Sequence, residues 1–220
     1  DDALAVWFPD DGLLCGGAVT PGISIPNIGT PLRTQRFTIR WADTLDRLDA
    51  LEAETLMTEF GPLVQGVDAV HEQLSNMSEA LRWCRDQVVE RMNKGMSEVE
   101  ILHDITFPNE LFGKPWMLPI YGDPAYIVRD LFREENGWWD RNPTNLHPVS
   151  ESESTKVILE AIGDPELVVS KAEELRDKGQ VQLALHVIDL VALAKDDSPI
   201  VIRAREVKAE LCRLRAKEVT

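Results

Sequence analysis

Val67, Val70, Leu74, Met77, Leu81, Cys84 and Val88 recur at alternating spacings of three and four residues. A strand cannot use that pattern, because its side chains change face at every residue. On an α-helix it draws one narrow apolar seam, the kind that meets a partner helix. Asn93-Lys94-Gly95 ends the pattern, and Ser97 with Glu100 has the spacing of a capping box that starts a shorter helix reaching about Ile105. At Asp123-Pro124 an acidic cap is followed by proline in the first helical position, where its missing N–H costs nothing. Ile127, Val128, Leu131 and Phe132 then share a face, and Gly137 stops the helix. Further helices are expected over 151–162, 165–178, 180–195 and Pro199 to Glu218, opened by Asp164-Pro165 and Ser198-Pro199 and closed by Gly163 and Gly179.

Ahead of the seam the character is different. Ala3–Phe8 and Leu13-Leu14-Cys15 flank a Pro9-Asp10-Asp11-Gly12 turn and read as a hairpin. Residues 16–34 are rich in Gly and Pro and read as a loop, a helix is expected near Thr44–Glu54, and Thr55–Thr58 reads as one more strand. Three short strands do not make a stable sheet alone. Residues 1–64 are therefore expected to be the last part of a larger β-rich domain, and residues 65–220 a separate all-helical domain. The overall class is α+β, mostly α. Leu183, Ala184, Val187, Leu190, Val191 and Ala194 give the last helices the apolar-plus-alanine faces of a tetratricopeptide-like hairpin, without a regular repeat.

Bulk properties exclude some functions. The formal net charge of −15 disfavours nucleic acid and anionic membranes as partners, and no apolar run approaches the ~20 residues of a membrane span. Cys15, Cys84 and Cys212 form neither a disulfide framework nor a metal cluster, which points to a reducing, cytoplasmic setting. His71, His103, His147 and His186 have no ligand spacing, and no phosphate loop or nucleophile elbow is present.

The segment Tyr121–Pro148 carries the most specific signal. Tyr121, Pro124, Val128, Arg129, Arg133, Gly137, Trp138, Trp139, Asp140, Asn142, Pro143, Leu146 and Pro148 stand as they do in the metallo-β-lactamase-fold alkylsulfatases, in their dimerisation domain, which this chain resembles. It departs at Arg141, where the family usually has glycine. The resemblance implies that residues 1–64 are the C-terminal remnant of a metallo-β-lactamase αββα sandwich. It also implies that the chain is the C-terminal piece of a fuller protein, or one subunit of a split one.

In that family two metal ions, usually zinc, activate a water that attacks a sulfate ester. Their H-x-H-x-D-H motif is absent from these residues, and a ligating glutamate would fall before Asp1. The resemblance places the bridging carboxylate at Ala18 (or Val19) and the last metal histidine at Phe60, with Glu59 beside it. Neither a methyl nor a phenyl group can hold a cation, so the chain is expected to bind no metal and to have no catalytic residue. Zinc would belong to the family or to a partner chain. Arg33 is the candidate anion contact, its fork suited to two oxygens at once, with Arg36 structural. Tyr126 aligns with a position considered as a proton donor in relatives, although its ordinary pKa near 10 suits packing better. Trp138 and Trp139 either line an alkyl pocket or plug the junction with residues 1–64, and both are expected to be largely buried. Three functions stay open: a non-catalytic chain that assembles with a homologous metal-containing chain or a second copy, an active sulfatase whose catalytic half lies elsewhere, and a binding protein that keeps an apolar pocket.

Overall fold

A computed structural model of the chain describes residues 3–218. They form two compact units, divided between Asn145 and Leu146. The class is α+β and mostly α, with one small sheet.

In the first unit, β1 (Val6–Phe8) turns through a 3-10 segment at Pro9–Asp11 into β2 (Leu13–Gly17), the antiparallel hairpin expected from the sequence. Helix α1 (Thr38–Asp49) crosses over to β3 (Thr55–Thr58), which lies parallel to β2, and β4 (Val64–Gln65) adds an antiparallel edge in the order β1-β2-β3-β4. Register sorts the side chains. Trp7, Leu14 and Leu56 stand in line on one face, and Leu14 and Leu56 are wholly buried in a core with Ala42 and Leu45 of α1. Val6, Phe8, Cys15 and Met57 stand on the other face, where Val6, Phe8 and Met57 are 39%, 44% and 46% exposed.

Helix α2 (Val67–Asn93) follows the seam, with six of its seven positions buried and Val67 at the first turn exposed. The partner helices lie in the same chain. They are α1 and α5 (Pro124–Asn136), so the seam by itself does not call for a second chain. Between them lie α3 (Glu98–Asp104), with its complete Ser97–Glu100 capping box, and the short α4 (Asn109–Phe112). Trp83, Phe107 and Phe112 pack as a tilted aromatic trio with centroids 5.0–5.9 Å apart. Because α2 and α5 share one core with the sheet and α1, the expected division between residues 64 and 65 falls inside the first unit.

The long loop before α1 is clamped onto the segment leading into α5. Ile25 N donates to Leu118 O (3.1 Å), and Tyr121 N and Gly122 N both donate to Ser24 Oγ (3.0 and 3.3 Å). At Gly29 the loop passes directly over α5, so that a Cβ there would lie 2.0 Å from Tyr126 O.

The second unit holds α6 (Glu151–Ile162), α7 (Pro165–Asp177), α8 (Val181–Ala192) and α9 (Pro199–Glu218), close to the expected bounds. Ser150–Glu153 and Asp164 cap α6 and α7, and Gly163 ends α6 at φ 83°. Ala172, Ala184 and Ala204, all fully buried, let α7, α8 and α9 approach closely around Val169, Ile188, Val191 and Leu211.

Gly29→Ala should therefore lose about 2–4 kcal/mol in urea unfolding, since it combines a backbone clash with a left-handed φ of 73°. Gly95→Ala is the control: φ is 83°, but a Cβ meets nothing, and the loss should stay near 1 kcal/mol.

Candidate functional site

The parallel strands β2 and β3 bring the loops that carry Ala18 and Phe60 to one end of the sheet, the C-terminal end where open α/β sheets place their sites. Glu59 N donates to Thr20 O (3.0 Å) and Phe60 N to Pro21 O (3.2 Å), so the two loops run side by side. The side chains they carry are an exposed methyl, Ala18, and a half-exposed ring, Phe60. Among the described residues no group of three or more His, Cys, Asp or Glu is arranged to hold a metal ion. The donor set does not fit a dinuclear centre, and no hydrolytic step can be derived through one.

Next to this end lies the start of α1, which the sequence reading placed six residues too late. Its N-cap is Phe37, which offers no side-chain acceptor. Two carboxyls one turn apart on α5 lie there instead: Asp130 accepts from Arg36 N (3.3 Å), and the buried Glu134 carboxyl sits near the Thr38 N–H, which favours its charged form. Burial pushes both carboxyls above their ordinary pKa, only partly offset by those backbone donors. Arg36 itself donates from Nη1 to Asn27 O (2.7 Å) and lies 5.8 Å from the Trp41 ring centre, the structural role expected for it. Trp41 Nε1 in turn donates to Val19 O (2.9 Å).

The candidate contacts do not converge. Arg33 is exposed, with Nη2 3.2 Å from the Tyr121 hydroxyl, so it meets the first tyrosine of the motif rather than Tyr126. Tyr126 is half-buried on α5 and is placed by its carbonyl above Gly29. Trp138 is 72% exposed, contrary to the expectation of burial, whereas Trp139 is half-buried and donates from Nε1 to Asn142 O (3.1 Å). The reason is local closure. Asp140 accepts from Asn142 N (2.9 Å) and from the Asn145 amide, which hold its carboxyl below the usual range, and Asn136 donates to Trp139 O. The loop is tied to itself, to Asn136 and, through Arg141, to Met92 O, so it needs no plug against residues 1–64. Arg141 has φ 68°, a left-handed position that explains why glycine is usual there, and its guanidinium lies 5.5 Å from the Phe132 ring centre. Trp138 and Trp139 border a cleft of about 360 Å³ that also takes in Gly29, Arg129 and Arg133. Of the histidines, His71 pairs with Asp49 (2.9 Å), and all four are exposed.

The sequence model of a family described as alkyl sulfatase dimerisation matches residues 97–220, more than half of the chain. The chain belongs to the alkyl sulfatase dimerisation family. It is 28% identical over 211 residues to a linear primary-alkylsulfatase of Pseudomonas sp. (strain ATCC 19151), covering 94% of this chain and 39% of that protein. An (R)-specific secondary-alkylsulfatase of Pseudomonas sp. is 29% identical over 130 residues, covering 57% of this chain and 20% of that one. In fold, the chain is similar to the inverting sec-alkylsulfatase Pisa1 from Pseudomonas sp., with a TM-score of 0.84 at 23% identity over 96% of this chain and 33% of that one. These residues thus span well under half the length of the alkylsulfatases they match.

Within this family member, Asp130 and Glu134 escaped the sequence reading, although two carboxyls four residues apart on an otherwise apolar helix face were the available signal. The raised pKa of Asp130 has a defined consequence. Its stabilising contribution is fully present below the ordinary Asp value and is lost as pH rises through the higher folded value. Asp130→Asn keeps an acceptor for Arg36 N and removes the titration. Chemical denaturation across the acid range should show a flatter pH–stability profile for the variant, and superimposable profiles would contradict the burial argument.

Proposed function

We propose that these residues form a non-catalytic, assembly-forming part of an alkylsulfatase-like protein. The observation that carries this reading is the pair Ala18 and Phe60, side chains without a donor atom at the two aligned ligand positions. The half-exposed sheet face of Val6, Phe8 and Met57 supports it, because a three-residue strand with apolar side chains open to water gains from a covering partner. The partner is a homologous, metal-containing chain or a second copy, meeting over well above about 2,000 Å². Zinc, in this reading, belongs to that partner. Arg33, Tyr126, Trp138 and Trp139 remain candidates for contact with an alkyl or sulfate group, now as separate surface features. Unpaired thiols at Cys15, Cys84 and Cys212 favour a cytoplasmic setting, and among the described residues no helix is long and apolar enough to cross a membrane.

A second reading has one observation of its own. The matched alkylsulfatase extends far beyond the 39% that this chain covers, so catalytic residues outside these 220 could act with them. Metal analysis of the purified chain after dialysis separates the two. The first reading expects zinc below about 0.1 per chain, and stoichiometric zinc held by side chains within about 2.3 Å would overturn it. Light scattering tests the assembly. We expect a mass of at least twice 24.7 kDa, and a monodisperse 24.7 kDa species would defeat self-assembly and leave only a hetero-partner, to be sought by co-purification.

A further inference from the structure

We propose that residues 31–37 form an acid-closed flap, held against α5 by Asp130 and Glu134 while their carboxyls are neutral and released when both ionise. The segment runs between two fixed points. On one side Gly29 is wedged over α5, where a Cβ would lie 2.0 Å from Tyr126 O, and on the other Thr38 and Ala42 of α1 are wholly buried. Between them Pro31, Leu32, Arg33, Thr34 and Phe37 are exposed. Leu32 is held at φ 65°, a left-handed position that its side chain resists, so the closed flap stores strain.

The ties across this junction are thin. Arg33 Nη2 reaches the Tyr121 hydroxyl at 3.2 Å, and Arg36 N donates to Asp130 at a long 3.3 Å. Arg36 Nη1 is bound back to Asn27 O, within the same loop. Asp130 is 6% exposed, and one long backbone bond is weak support for a buried charge, since interior carboxylates gather two or three donors. Glu134 Oε2 is buried without a hydrogen-bond partner among the described residues, as are Thr38 Oγ1 and the flap's own Gln35 Nε2. A bare buried oxygen is tolerable on a neutral carboxyl and costly on a carboxylate. Asp130 and Glu134 also stand one turn apart on one helix, so they repel each other once both are charged.

The surrounding charges do not reverse this. Burial is the leading influence on both carboxyls and raises both above their ordinary range. At Asp130 it outweighs the Arg36 N–H and Arg133. At Glu134 it outweighs the Thr38 N–H and Arg85 of α2, while Glu135 and Asp130 add repulsion. Glu98 and Arg129 border the Asp130 side and pair with each other. Arg82 and Asp86 border the Glu134 side, with Arg82 held by Asp43 and Asp46 of α1. Raised folded values mean that the hold is complete below the ordinary carboxylate values and is lost as pH rises through the higher ones. Above that transition the flap is free, Arg33 leaves the Tyr121 hydroxyl, and the strain at Leu32 relaxes. The device lies within the first unit and depends neither on assembly nor on metal.

Nuclear magnetic resonance relaxation on the 220-residue chain between about pH 4 and about pH 8 tests it. Backbone order parameters of residues 32–36 should fall from about 0.85 in acid to below about 0.6, while those of Trp41 and Tyr126 stay unchanged. The carboxyl carbon signals of Asp130 and Glu134 should titrate together with that fall. The double variant Asp130→Asn, Glu134→Gln keeps an acceptor at each position and cannot ionise, so its flap should stay ordered throughout. Trypsin at about pH 8 gives a second reading, because cleavage follows the open population. Cuts after Arg33 and Arg36 should be about tenfold slower in the double variant than in the wild type. Equal cleavage of the two, or equal loss of order in the variant, would overturn the proposal. Should the variant not fold, the wild type decides alone: a flap still ordered after both carboxyls have ionised would defeat it.

Discussion

The start of α1 is tied to α5 by a buried carboxyl, Asp130, that accepts from the Arg36 N–H just ahead of the helix. A helix normally finds its N-terminal acceptors in its own cap residue. Here Phe37 supplies none, Asp130 accepts from Arg36 N across from another element, and Glu134 lies beside it near Thr38. Burying two carboxyls is costly, and their raised pKa values record the cost. In exchange, α1 gains a polar tie to α5 beside its main packing on α2, and α1 carries Ala42 and Leu45, which share a core with Leu14 and Leu56 of the sheet. Within the first unit, the β-segment and helices α1, α2 and α5 therefore share one core, held by polar contacts of high specificity as well as by oily ones.

That dependence decides what could be read from the chain. Helices α2, α5, α6, α7, α8 and α9 were legible because apolar spacing, caps and glycine stops all agree locally. The beginning of α1 was not, since its caps lie about 94 residues away in sequence. The Trp138 position failed for a related reason. A rule about the cost of an exposed indole knows nothing of a loop that closes through Asp140, Asn142 and Asn145. The reading of Ala18 and Phe60 as former ligand positions rests on resemblance alone, because composition gives them no special standing.

The clamp of Ser24 on Tyr121 and Gly122 joins residues 97 and 98 positions apart. On a ribosome adding about 5–20 residues each second, the loop before α1 has emerged for about 5–20 s before its acceptors and donors exist. During that interval the loop before α1 lacks the element that orders it. Nascent chains of this protein consequently have a defined period of vulnerability, one that closes when α5 clears the exit tunnel and that slower translation between residues 37 and 136 would lengthen.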